Sequence, residues 1–86
     1  MTIDDIFKRM GEGEVLCIAC SRYEERICLE GERYESYLED GINEVSKKVD
    51  EKYIIHQIIR ALHNSNYYDM YLGDENVIDA CKHRGD

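Results

Sequence analysis

The 86-residue sequence predicts one α+β domain: an N-terminal helix, a three-stranded antiparallel sheet and two to three C-terminal helices. Three observations lead to this fold class. Apolar residues recur at helical spacing near the N-terminus and again within residues 50–64. An apolar run of strand length lies between these segments, and glycine or polar residues separate it from two further strand-like segments. Hydrophobic residues make up 43% of the chain, so a single modest core spanning residues 1–86 is expected.

The first element is a short helix at the N-terminus. Thr2 is a helix-capping residue, and Asp5 stands three positions later, where a capping box places its acidic partner. Ile6 and Met10 continue the helical spacing, and Gly11 permits a left-handed end. We therefore expect the helix to end near Gly11.

Three strands are predicted next, joined as an antiparallel meander. Residues 14–21 form an apolar, partly β-branched run that is typical of a central strand. Residues 26–30 follow a polar connection, and Gly31 permits a tight turn into residues 32–38. Alternation in this third strand places two sets of side chains on opposite faces. The sets are Tyr34, Ser36 and Leu38 against Arg33, Glu35 and Tyr37.

The remaining chain is predicted to be mainly helical. Apolar residues at heptad spacing favour a helix after the third strand: Leu38, Ile42, Val45 and Val49. The apolar stripe of residues 54–62 points roughly 150° away from these, so the helix must break, and Asp50 can cap a second helix over residues 50–64. Residues 66–72 are expected to be an irregular aromatic loop or a short edge strand. Residues 74–82 are expected to form a last short helix.

The charge of the chain limits its partners. The formal net charge is −8, from 19 acidic and 11 basic residues. Direct binding to nucleic acid or to an anionic membrane is not expected, because both require a basic footprint. No apolar run is long enough to span a membrane, and four cysteines without a secretory signal indicate a reducing cytoplasm.

The cysteines raise the question of a metal site. Cys17, Cys20, Cys81 and His83 could supply four zinc ligands if the two ends of the chain meet. In a regular strand, however, Cys17 and Cys20 point to opposite faces, and cysteine is a common buried residue. We therefore expect no metal and no cofactor, and keep a metal- or thiol-dependent regulatory domain as an alternative.

Catalytic motifs are missing from the sequence. Tyr53, His56, Arg60 and His63 would form one polar helix stripe, for which a solvated face is the simpler interpretation than a small active site. No glycine-rich phosphate loop or calcium-loop spacing occurs. An enzyme is therefore not expected. A dimeric module that self-associates through the apolar face of residues 54–62 is a further alternative, so the chain is expected to be a monomer or a homodimer.

Two acidic stretches accompanied by tyrosines carry the functional prediction. Residues 24–44 contain eight acids and two arginines, and residues 69–79 contain four acids and no base. Carboxylates can pair with lysine or arginine of a partner, and tyrosines supply rigid contact area. We predict a non-enzymatic module that binds and occludes a basic, nucleic-acid-handling protein. The predicted contact residues are Glu30, Glu32, Glu35, Tyr37, Glu39, Asp40, Tyr67, Tyr68 and Asp69.

In overall character the chain resembles the small acidic inhibitors that bacterial viruses encode against nucleic-acid enzymes, including anti-CRISPR proteins. The resemblance consists of length, acidity, absence of catalytic motifs, the predicted order of helix, sheet and helix, and the opening Met-Thr-Ile-Asp-Asp-Ile. It implies a DNA mimic or an inhibitor that blocks its target by occlusion, and it assigns no individual residue a role.

Overall fold

A computed structural model describes residues 1–74. Over these residues the chain forms two helices and five strands. Their bounds are α1 Ile3–Gly11, β1 Val15–Ala19, β2 Glu24–Glu30, β3 Arg33–Glu39, β4 Glu44–Val49, α2 Glu51–His63 and β5 Asp69–Gly73. The strands form one antiparallel sheet in the order β4-β3-β2-β1-β5.

The prediction of a three-stranded sheet followed by two to three helices is therefore wrong. The sheet has five strands, and α2 is the one helix that follows the meander within residues 1–74. Residues 69–73 form the edge strand that was one of two alternatives for this segment. The helix predicted over residues 74–82 lies outside the described residues, apart from Asp74.

The largest error is at β4, where heptad spacing predicted a helix. Asp40 Oδ1 accepts hydrogen bonds from the backbone N–H groups of Ile42 at 3.0 Å and Asn43 at 2.7 Å, and Gly41 has φ 91°. These residues close a hairpin turn, which places Leu38 directly opposite Val45 in the β-ladder. The apparent heptad is thus a cross-strand pairing, and the β-branched valines suit it.

Both predicted helix caps are confirmed. Thr2 Oγ1 accepts from the backbone N–H of Asp5 at 3.1 Å, and the backbone N–H of Thr2 donates to Asp5 Oδ2 at 3.0 Å, which completes a capping box. Asp50 Oδ1 accepts from the backbone N–H of Tyr53 at 2.8 Å. Each bond satisfies backbone donors that a helix start would leave without partners.

One hydrophobic cluster joins both helices to the same face of the sheet. Its buried members are Ile6, Met10, Leu16, Ile18, Ile27, Ile54, Ile58, Ala61 and Tyr68. α2 leads from the β4 edge to the β5 edge, and its 13 residues span about 20 Å, close to the width of about 19 Å for four strand spacings. The helix therefore crosses the sheet and covers one face, which we call the helix face.

Alternate residues of each strand point to the other side of the sheet. In β3 the predicted division is confirmed: Tyr34 packs against the core and Ser36 is buried, whereas Tyr37 hydrogen-bonds Glu30. Neither helix within residues 1–74 is long and apolar enough to cross a membrane.

Candidate functional site

Acidic side chains from four strands form one row across the side of the sheet opposite the helices. In the strand register, Glu44 pairs with Glu39, Glu39 with Glu24, Glu24 with Ala19, and Ala19 with Asp69. Directly paired residues lie on the same face of an antiparallel sheet, about 5 Å apart. We call Glu44, Glu39, Glu24 and Asp69 the acidic row, and the side that carries them the acidic face.

A second row runs beside the acidic row and supplies aromatic and basic groups. Tyr37 pairs with Ser46 on one side and with Arg26 on the other, and Cys17 pairs with Arg26 and with Tyr71. Arg26 Nε lies 3.4 Å from Glu24 Oε2, so Glu24 is partly neutralised. The exposed acids of the row are Glu39, Glu44 and Asp69.

A concave groove of about 540 Å³ lies on the acidic face. Its lining residues within residues 1–74 are Val15, Glu24, Arg26, Cys28, Glu30, Tyr37, Glu39 and Glu44. The Tyr37 hydroxyl donates to Glu30 Oε1 at 2.6 Å, and this bond raises the pKa of Tyr37 to about 12. Tyr37 therefore stays neutral at ordinary pH and holds one carboxylate at the groove wall.

The fold brings most of the predicted contact residues together. Glu30, Glu35, Tyr37, Glu39 and Asp69 lie on the acidic face. Two others lie in turns at the ends of the strands, Glu32 between β2 and β3 and Asp40 between β3 and β4. The hydrogen bonds from Asn43 and Ile42 lower the pKa of Asp40, so this carboxylate is engaged in its own turn.

The two remaining predicted residues lie elsewhere. Tyr68 is 8% exposed and belongs to the core on the helix face, where its hydroxyl accepts a hydrogen bond from Arg60 Nη2 at 2.8 Å. The Tyr23 hydroxyl donates to Tyr68 Oη at 3.2 Å, and burial together with this bond raises the pKa of Tyr23. Tyr67 is 47% exposed and packs edge-on against Tyr68. These tyrosines are thus not part of the acidic face.

Sequence reasoning missed two members of the acidic row, Glu24 and Glu44. Both were counted as acids, but neither was assigned to a strand. The hairpin signal at Asp40-Gly41 could have identified Glu44, since this dipeptide between alternating strands is typical of a hairpin. Once β4 is a strand, Glu44 follows from its pairing with Glu39.

A buried polar cluster on the helix face was also missed. Glu25 is 1% exposed, and its carboxylate accepts from Ser36 Oγ at 2.6 Å, Tyr53 Oη at 2.5 Å and Gln57 Nε2 at 2.8 Å. Burial and the bond to Glu25 raise the pKa of Tyr53 to about 12. Alternation along β2 could have predicted this cluster, because it places Glu25 on the same face as the buried Ile27.

The helix stripe predicted over α2 separates into two kinds of residue. Tyr53 is half-buried and hydrogen-bonds Glu25, whereas Arg60 is exposed and hydrogen-bonds Tyr68. His56 and His63 are exposed. The predicted stripe is therefore divided, because Tyr53 and Arg60 hydrogen-bond different partners.

The cysteines of the alternative metal site face different sides of the sheet. Cys17 is buried, and its thiol donates to Glu24 Oε1 at 3.4 Å on the acidic face. Cys20 packs against the core on the helix face. Cys81 and His83 lie outside the described residues. Within residues 1–74, no group of three His, Cys, Asp or Glu side chains is arranged to hold a metal ion.

Comparison with known proteins gives no assignment: no family model, curated protein or solved structure matches the chain.

Proposed function

We propose that the acidic face binds a basic surface of a nucleic-acid-handling protein and blocks that surface. The observation that supports this most directly is the acidic row, in which four strands contribute carboxylates to one line. Adjacent strands lie about 4.8 Å apart. The four carboxylates span four strand spacings, about 19 Å, because Ala19 stands between Glu24 and Asp69. Each DNA strand carries one charge per about 3.4 Å of helix axis, so the row resembles a line of phosphates at lower charge density. The row can therefore occupy lysines and arginines that would otherwise hold phosphates.

The groove adds shape to this charge. Four of its lining residues are acids, and Tyr37 stands among them with its hydroxyl bound to Glu30. An aromatic ring held in one orientation loses little conformational entropy when a partner packs on it. The proposal therefore assigns partner attraction to Glu39 and Glu44, and contact area to Tyr37. As part of the same proposal, the protein acts in the cytoplasm, where it would meet such a partner.

Paired charge reversals test this assignment. Glu39→Lys and Glu12→Lys change the net charge equally, and both residues are exposed, but Glu12 caps the end of α1 away from the acidic row. Protein carrying each change is used to capture partners from cell extract at low and moderate salt. Loss of at least about tenfold in affinity, or 1.4 kcal/mol, is expected for Glu39→Lys and not for Glu12→Lys. An equal loss of affinity in both variants would show that net charge, and not the acidic row, determines binding.

A competition experiment tests the occlusion step. The captured partner is mixed with its nucleic acid, and the wild-type chain is added. The nucleic acid should be displaced, with weaker displacement at higher salt because the contacts are ionic. A complex that retains both the chain and the nucleic acid would contradict occlusion while leaving binding in place.

A further inference from the structure

We infer that the cavity beside Glu25 is a binding site for a primary aliphatic ammonium group. The cavity has a volume of about 100 Å³ and lies between α2 and the β2–β3–β4 part of the sheet. Its lining residues are Glu25, Ser36, Leu38, Val45, Lys47 and Tyr53. It opens on the helix face and shares no residue with the acidic row, so this inference does not rest on the proposed function.

The charge at the base of the cavity favours a cation. Glu25 is 1% exposed, and within residues 1–74 no basic side chain forms an ion pair with it. Arg60 interacts with Glu25 electrostatically without forming an ion pair with it, and the ammonium of Lys47 lies in the wall of the same cavity. A buried carboxylate without a cation in direct contact is costly even when it accepts hydrogen bonds. A ligand that brings a positive charge to Glu25 would recover part of that cost.

The hydrogen-bond capacity of Glu25 selects the kind of cation. A carboxylate has about four acceptor positions. Oε2 accepts from Ser36 and Tyr53, whereas Oε1 accepts from Gln57 among the described residues. One position on Oε1 remains for a single donor. An ammonium nitrogen meets this requirement, whereas the two-pronged binding of a guanidinium requires both oxygens.

The protein already places an ammonium group at the cavity wall. Lys47 Nζ lies 4.6 Å from the centroid of the Tyr53 ring, within cation–π distance. Lys47 lies on the edge strand β4 and is exposed. Its ammonium is therefore an internal competitor for the same ring face, which an incoming amine would displace.

The size of the cavity limits how much of the ligand enters. Its volume of about 100 Å³ is well below the roughly 300–1,000 Å³ of pockets that enclose a whole drug-sized ligand, so only the end of a chain enters. The ammonium and its first carbons fill this space. The rest of an unbranched chain would lie along Leu38 and Val45, which are 36% and 57% exposed. The ligand class is thus a straight-chain primary amine, free or as the side chain of a lysine.

Titration of isotope-labelled protein with n-butylammonium, followed by NMR, tests the site. Chemical-shift changes should centre on Ser36, Lys47 and Tyr53. Lys47→Met removes the internal competitor and should tighten binding by about fivefold, the scale of one cation–π contact. Lys48→Met is the matched control, because Lys48 is the next residue of β4 and pairs with Glu35 on the acidic face. Glu25→Gln should abolish binding.

The comparison probes identify what is recognised. Butan-1-ol carries the same chain without charge and should not bind, and n-butylguanidinium should bind more weakly than n-butylammonium. A peptide with one central lysine separates the two sources of amine, since tighter binding of the peptide indicates a protein side chain and tighter binding of the free amine a small molecule. Equal affinities of Lys47→Met and Lys48→Met, or equal binding of butan-1-ol, would overturn the inference even if Glu25→Gln failed to fold.

Discussion

The helix face and the acidic face are built from alternate residues of the same strands, yet they treat carboxylates differently. On the helix face Glu25 is 1% exposed and accepts three side-chain hydrogen bonds. On the acidic face Glu39 and Glu44 are exposed and stand directly opposite each other. Position along a strand therefore decides whether an acid is part of the internal structure or is accessible to a partner.

The difference has an energetic counterpart. Hydrophobic burial and satisfied polar groups stabilise the helix face, whereas neighbouring like charges on the acidic face oppose folding slightly. A surface that costs a little stability and is displayed in one line is suited to recognition. Substitutions on the two faces should therefore affect different measurements.

The largest expected effect is on the core beneath α2. Ile58→Ala should lower the free energy of unfolding by about 2–5 kcal/mol, because Ile58 is fully buried and its truncation leaves a cavity. Ile59→Ala, at the next position and 42% exposed, should change it by less than about 0.5 kcal/mol. Urea unfolding measures both. Similar losses would mean that α2 does not bury the face described here.

Two tyrosines compare the faces directly. Tyr53→Phe removes a hydrogen bond to the buried Glu25 and should cost about 1.5–3 kcal/mol. Tyr37→Phe removes the equivalent bond to the exposed Glu30 and should cost less than about 0.5 kcal/mol. Chemical denaturation at neutral pH distinguishes them. A larger loss of unfolding free energy for Tyr37→Phe than for Tyr53→Phe would contradict the view that the helix face, and not the acidic face, stabilises the fold.

Alkaline pH should weaken the helix face through Tyr53. Its folded-state pKa of about 12 lies above the ordinary tyrosine value of about 10, so folding favours the protonated hydroxyl. This contribution is fully present below pH of about 10 and is lost as pH rises towards about 12. Denaturation midpoints across this window should fall less steeply for Tyr53→Phe than for wild type. Parallel curves would show that Tyr53 does not carry the effect.

The smallest expected effect concerns repulsion within the acidic row. Glu44→Gln removes one of two directly opposed carboxylates and should raise the free energy of unfolding by about 0.2–1 kcal/mol at low salt. The gain should shrink as salt screens the charges. Glu32→Gln, in the turn outside the ladder, is the control. If both changes stabilise the fold equally, the gain comes from the lower overall charge and not from relief of repulsion within the acidic row.

Local signals in the sequence were sufficient for part of this structure. The capping box at Thr2 and the cap at Asp50 fixed the starts of both helices, because a cap is a short-range interaction between residues three apart. The faces of β3 followed from alternation alone. These elements required no knowledge of what they pack against.

One error arose where a local turn outweighs apolar spacing: Leu38, Ile42 and Val45 fitted a helix, but the turn at Asp40-Gly41 makes this segment a hairpin. The other errors arose where distant residues decide the structure. The acidic row could not be predicted, since Asp69 joins it through a pairing with Ala19, 50 positions earlier. The cluster at Glu25 likewise depends on α2 crossing over β2 and β3.

The pairing of Asp69 with Ala19 has a consequence for how this surface is recognised. The acidic row is a discontinuous epitope, because its members are separated by as many as 45 positions in sequence and fall into one line, with Ala19 between Glu24 and Asp69, when all five strands are in register. A peptide copied from residues 24–44 would carry the larger acidic stretch but not the complete row. A partner that binds the complete row would therefore bind the folded chain and not the unfolded one.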